Sequence, residues 1–130
     1  MSEEKTLERA LALIQALHSR TREGRIDWQE TTDARKFTTE SGDFDLTIRL
    51  IPDRDYPDKP DYAVDVVNRS SGQKIETVSN VTLRPMMDRI TPDGLNPYVV
   101  LEQTYEMARR KALRVDDALE SILQTLKEQF

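Results

Sequence analysis

The chain has 130 residues, of which 33% are charged, and it carries a net charge of −5 with no cysteine. This length suits one domain built on a single core, the acidic balance disfavours nucleic-acid binding, and the lack of cysteine excludes disulfides and thiolate metal sites. No segment approaches the ~20 apolar residues that span a membrane, and residues 1–4 do not resemble the start of a signal peptide, so we expect a cytoplasmic protein.

The first predicted element is a helix over residues 3–22. Its apolar residues recur at helical spacing and form one arc, which also holds the only histidine, His18. Because no second histidine and no cysteine accompany it, we interpret His18 as a structural residue at the rim of the core. Gly24 is expected to end the helix in a left-handed C-cap.

Four antiparallel strands are predicted next, over residues 36–40, 43–51, 62–68 and 73–81. A short extended segment precedes them, and we expect its Trp28 to cover the core. The strict alternation of polar and apolar residues from Phe44 to Leu50 predicts a sheet with one buried and one solvated face. The fourth strand loses that alternation, which predicts a β-bulge near Thr77 or Ser79.

A proline-rich loop and a short helix are predicted between the sheet and the last helix. Residues 52–61 contain three prolines and four aspartates, and they lack the glycine and the closing glutamate of a calcium-binding loop, so we interpret them as a solvated acidic loop. The short helix is expected over residues 85–90. Asn96 and Pro97 then predict the start of the last helix, because asparagine caps helices and proline suits the first helical position.

The last predicted helix, over residues 97–129, is the longest element. Eight of its apolar residues follow one another at alternating steps of four and three, which places them on one stripe of the helix. The residues of this apolar stripe are Leu101, Tyr105, Ala108, Ala112, Val115, Leu119, Ile122 and Leu126. A continuous helix of this length would extend ~50 Å, about twice the length of the predicted strands. Its distal half must then pack on the first helix or on a second copy, unless the helix breaks near residues 114–117. The unbroken stripe favours a continuous helix.

We predict that the distal half of this helix is an interface, because leaving so many large apolar side chains in water would forgo roughly 1.5–3 kcal/mol for each. These residues are expected to pack on the first helix or across a dimer, with Leu113 as a further contact on another side. The predicted interface residues are Leu113, Leu119, Ile122, Leu123, Leu126 and Phe130.

The one basic cluster lies in the middle of this helix and consists of Arg109, Arg110, Lys111 and Arg114. Our main interpretation is a solvated face with salt bridges, in which Glu106 pairs with Arg110. The alternative is a weak site for a nucleotide or another small anion. No catalytic, metal-binding or cofactor motif accompanies the cluster, so we predict no catalytic residues, no metal and no cofactor.

The segment from Tyr105 to Leu123 reads YEMARRKALRVDDALESIL. It resembles the C-terminal helix of small uncharacterised bacterial and phage-borne proteins that combine a helix, a tryptophan-containing extended segment, a four-stranded meander and a long last helix. Trp28 and the turns at residues 41–42 and 71–72 occupy corresponding places, whereas Arg114 replaces a glycine or another small residue. The resemblance implies this fold and an accessory role in a bacterial or phage operon, and it implies no specific activity.

These patterns predict a single α+β domain over residues 1–130, made of an N-terminal helix, a four-stranded antiparallel meander and a long C-terminal helix. Both helices are expected on one sheet face, or the long helix is shared in a dimer. The patterns favour a non-enzymatic protein-binding or regulatory module that forms a homodimer through the last helix. The expected partner is another protein or a second copy of the chain. A nucleotide- or anion-binding protein is the alternative of another class, and a secretion-chaperone-like acidic dimer is an alternative of the same class.

Overall fold

The computed structural model describes residues 2–129, in which one α-helix is followed by five strands and then by two further α-helices. The helices are α1 (Ser2–Arg22), α2 (Pro97–Ala112) and α3 (Val115–Glu128). The strands are β1 (Gln29–Glu30), β2 (Lys36–Ser41), β3 (Phe44–Ile51), β4 (Asp61–Asn68) and β5 (Lys74–Ser79). The predicted α+β class is therefore confirmed.

The strands form one antiparallel sheet in the order β1-β2-β3-β4-β5. Four of them correspond to the predicted strands, and the additional one is β1, which pairs Gln29 with Thr38 and Glu30 with Phe37. Two residues are too short a run to show the alternation that identifies a strand. The prediction of four strands is thus wrong by one.

The pairing of β5 with β4 contains an irregularity. Val66 lies opposite Glu76 but Val67 lies opposite Lys74, so Ile75 is an extra residue in β5. The predicted bulge is present, although it occurs at Ile75 rather than near residues 77–79. The extra residue shifts the alternation of inward-facing and outward-facing side chains by one position. This shift explains why the sequence of the fourth predicted strand loses its alternation.

One face of the sheet packs against α1 and α2 and encloses the core. The largest fully buried side chains include Ile14, Trp28, Phe37, Ile48 and Leu101. Helix α1 packs on α2, and α2 in turn contacts β1 to β4. Trp28, which we expected to cover the core, is a fully buried member of it, and its indole N–H donates a hydrogen bond to Thr21 Oγ1 at 3.0 Å, so its polar atom is satisfied.

Two boundaries around the helices differ in how well they were predicted. Gly24 follows α1 with a φ of 75°, which matches the left-handed cap expected there. The short helix predicted over residues 85–90 is instead one 3-10 turn at Arg84–Met86. Met86 in this turn and Leu83, the residue before it, are buried, and a single turn is the usual extent of a 3-10 helix.

Candidate functional site

Helix α2 holds the proximal half of the apolar stripe against the sheet. Asn96 caps the helix by accepting a hydrogen bond from the backbone N–H of Val99 at 2.9 Å, and proline occupies the first helical position, as predicted. Leu101, Tyr105 and Ala108 are all buried. This half of the stripe is therefore occupied within the chain and is not available to a partner.

The stripe continues past a break in the helix at Arg114. This residue has φ 53° and ψ 47°, the left-handed conformation, and it is the only residue other than glycine with positive φ among residues 2–129. Its N–H bonds to the carbonyl of Lys111, which closes α2, and its own carbonyl accepts from Ala118 in the first turn of α3. The prediction of one continuous helix is therefore wrong, because apolar spacing records which side chains share a face and not the conformation of one linking residue.

Arg114→Gly should stabilise the protein by about 1 kcal/mol. A left-handed conformation costs a residue with a Cβ roughly 1–2 kcal/mol and costs glycine little, although the greater freedom of glycine in the unfolded chain offsets part of the gain. Urea denaturation measures the change. The matched control is Lys111→Gly inside α2, where glycine should destabilise by about 0.5–1 kcal/mol. An equal loss of stability on substitution at both positions would contradict the left-handed conformation of Arg114.

The four basic residues of the predicted anion site are largely engaged with carboxylates. Three of them form ion pairs: Arg109 with Glu106, Arg110 with Asp116 and Arg114 with Asp117. Glu106 was expected to pair with Arg110 and pairs with Arg109 instead, because Arg110 reaches across the break to α3. The hydrogen bond from Arg109 lowers the pKa of the Glu106 carboxyl. These contacts agree with the interpretation as a salt-bridged face, and each exposed pair contributes about 1 kcal/mol or less.

A groove of about 540 Å³ lies beside Arg114 and is formed by the ends of α1 and α2, by β1 and by the start of α3. Its charged lining residues are Arg22, Asp27, Arg110, Lys111, Arg114, Asp116 and Asp117. Three carboxylates among four cations leave little net positive charge, so the groove offers a small anion weak electrostatic attraction.

Helix α3 presents the distal half of the stripe to solvent. The exposed fractions are 49% for Leu119, 54% for Ile122, 52% for Leu123 and 46% for Leu126, and none of the described α3 residues is buried. Helix α1, one of the two predicted partners for this half, does not cover it. Leu113, at the end of α2, is exposed as well. Phe130, the remaining predicted interface residue, lies outside the described residues.

The only histidine joins two helices. His18 is buried on α1, and its Nε2 lies 2.8 Å from Oε1 of Gln103 on α2. Because the amide oxygen satisfies this ring nitrogen, the contact matches the structural role that we predicted.

An ion pair on the sheet face away from the helices was not predicted. Asp65 is 6% exposed, Arg49 Nε donates to its Oδ2 at 2.8 Å, and Thr77 Oγ1 donates to its Oδ1 at 2.7 Å. Burial alone would raise the pKa of the Asp65 carboxyl, but the hydrogen bonds from Arg49 and Thr77 and the charges of Arg49 and Lys74 outweigh it and lower that pKa. The sequence signal that could have indicated this ion pair is the opposite charge of two residues at outward-facing positions of neighbouring strands.

A second groove, of about 930 Å³, lies between α1 and β1 to β3. Its apolar lining includes Leu13, Leu17, Ile26 and Leu46, and charged residues from both the helix and the strands surround them. Sequence patterns could not locate it, because its residues come from several separate segments. Nothing in its lining singles out a particular ligand.

Within residues 2–129, no group of three or more histidine, aspartate or glutamate side chains is arranged to hold a metal ion. The helices in that range are also too short or too polar to cross a membrane.

Comparisons of the chain with protein-family models, with curated proteins and with solved structures found no match in any of the three.

Proposed function

We propose that this protein is a non-enzymatic protein-binding accessory module that forms a homodimer through α3. The observation that carries the proposal is the apolar face of this helix, where Leu119, Ile122, Leu123 and Leu126 are each about half exposed. Covering the exposed half of such a side chain contributes about 1 kcal/mol. Two copies of α3 would together cover eight of these side chains, which is enough to offset much of the cost of association.

The length of α3 also supports the proposal that a partner binds to this helix. The helix has 14 residues, and none of them is buried against the rest of the chain. Isolated helices of about 12–15 residues are marginal in water, and most helices in proteins owe their stability to the packing of an apolar face. A partner on this face would supply the packing that α1 and the sheet give to α2.

The basic cluster favours no second function. Arg109, Arg110 and Arg114 are paired with carboxylates of the same chain, so a nucleotide or other anion would have to displace those carboxylates. That competition weakens the anion-binding alternative relative to a protein interface.

Ile122→Glu should abolish or strongly weaken self-association. The substitution places an unpaired carboxylate in the interface twice per dimer, so we expect the dimer dissociation constant to rise at least ~100-fold. Because Ile122 is 54% exposed, the fold of the single chain should be unaffected. Sedimentation velocity over a range of concentrations measures the change.

The control for this experiment is Gln124→Glu, which adds the same charge on the opposite side of α3. It should leave the dissociation constant within a few-fold of the wild-type value. A wild-type chain that stays monomeric at all concentrations, or equal weakening by both substitutions, would refute the proposed homodimer.

A further inference from the structure

We infer that the two copies of α3 pair antiparallel, with Ile122 of each copy close to the twofold axis. This inference rests on the proposed function and specifies the geometry of the same interface. It follows from the distribution of charge along the borders of the apolar face.

The two borders of the apolar face of α3 differ in charge. At about 100° per residue, Asp116, Glu120 and Lys127 fall together on the border next to Leu123. The other border carries Ala118, Ser121 and Thr125, which are uncharged. All of these residues are exposed, so both borders are available to a partner.

An antiparallel pair brings like borders of two helices together. With the axis close to Ile122, Asp116 of one copy lies opposite Lys127 of the other, and the twofold symmetry repeats the pair. The helix dipoles also oppose each other in this arrangement. Asp116 already contacts Arg110 in its own chain, and its exposed carboxylate has room to accept from a second cation.

A parallel pair has neither advantage. It would set the charged border of each helix against the uncharged border of the other, so Asp116 and Lys127 would gain no ion pair. It would also bring the two acidic ends, each with Asp116 and Asp117, side by side, and it would align the helix dipoles. Charge complementarity therefore selects the antiparallel arrangement.

The antiparallel arrangement contains one unfavourable contact. The two copies of Glu120 would approach each other on the same border, offset along the axis by only about 5 Å. Glu120→Gln should therefore strengthen an antiparallel dimer several-fold. In a parallel dimer Glu120 would face the uncharged border, and the substitution would have little effect.

Cysteine cross-linking tests the orientation directly, because the chain contains no cysteine of its own. Ala118→Cys and Thr125→Cys lie on the uncharged border, and an antiparallel pair centred near Ile122 places them opposite each other. An equimolar mixture of the two variants in a glutathione redox buffer should give the mixed disulfide in several-fold excess over either symmetric one. Gln124→Cys, on the opposite side of the helix, reports the background of random collision.

The outcomes separate this inference from the proposed function. A mixed disulfide in excess, together with a tighter Glu120→Gln dimer, supports both. A wild-type dimer that forms mainly the symmetric Ala118→Cys disulfide, or that is unchanged by Glu120→Gln, overturns the antiparallel arrangement and leaves the homodimer standing. A chain that sediments only as a monomer overturns the homodimer itself.

Discussion

Leu101→Ala should destabilise the protein by about 2–5 kcal/mol, whereas Leu123→Ala should leave the stability of the monomer almost unchanged. Leu101 belongs to the apolar stripe, and Leu123 lies beside the stripe on the apolar face of α3. Leu101, on the buried face of α2, is 0% exposed, so its truncation removes buried contacts and leaves a cavity. Leu123, on α3, is 52% exposed. Since a small domain is stable by only about 5–15 kcal/mol, the loss at Leu101 is a large fraction of the total.

Urea denaturation at a concentration low enough to keep the chain monomeric measures both effects. At higher concentrations the Leu123→Ala variant should show a deficit that the monomer lacks, because the interface then contributes to stability. If Leu123→Ala costs as much as Leu101→Ala in the dilute sample, α3 is part of the core of the single chain, and the exposed interface does not exist.

The second large effect is expected at Asp65, where substitution by alanine should cost about 2–3 kcal/mol at neutral pH. It leaves the Arg49 guanidinium, whose side chain is only 25% exposed, without its carboxylate. Asp45→Ala is the matched control, because the pair of Asp45 with Arg69 lies on the same sheet face and is more exposed on both sides. That substitution should cost less than about 1 kcal/mol.

The cost of losing Asp65 should also depend on pH. Its pKa is lowered in the folded protein, so the ionised carboxylate stabilises the fold above the unfolded-state pKa of about 4, and this contribution disappears as the pH falls through the folded-state pKa. The stability difference between wild type and Asp65→Ala should therefore shrink in acid. A difference that is the same at pH 3 as at pH 7 would show that Asp65 acts by packing rather than by charge.

Periodicity predicted most of the fold because the core residues of this chain repeat at regular intervals. Leu46 and Ile48 alternate with solvent-facing neighbours on β3, and Ile14 and Leu17 recur on one side of α1. The errors arose where structure depends on one or two residues. Strand β1 is defined by two backbone pairs, and the helix break by the φ angle of Arg114 alone.

The candidate interface shows a different limit of sequence reasoning. Leu101 and Leu119 have the same spacing and the same chemistry, so their pattern could not reveal which is buried. The comparison of helix length with strand length indicated that some of the stripe must extend beyond the sheet, and α3 is the part that does. The pair of Arg49 and Asp65 could not be placed in advance, because the pairing of charges on a sheet depends on the strand register.

The two edges of the sheet discourage one kind of association. An edge strand with a long regular row of free N–H and C=O groups is a template on which strands of other molecules can add, the first step towards fibrous aggregates. Here β1 offers only two residues, and the bulge at Ile75 interrupts the backbone of β5. The sheet is thus protected at both ends against growth by strand addition, which leaves the helical surface as the safer route by which copies of this chain can meet.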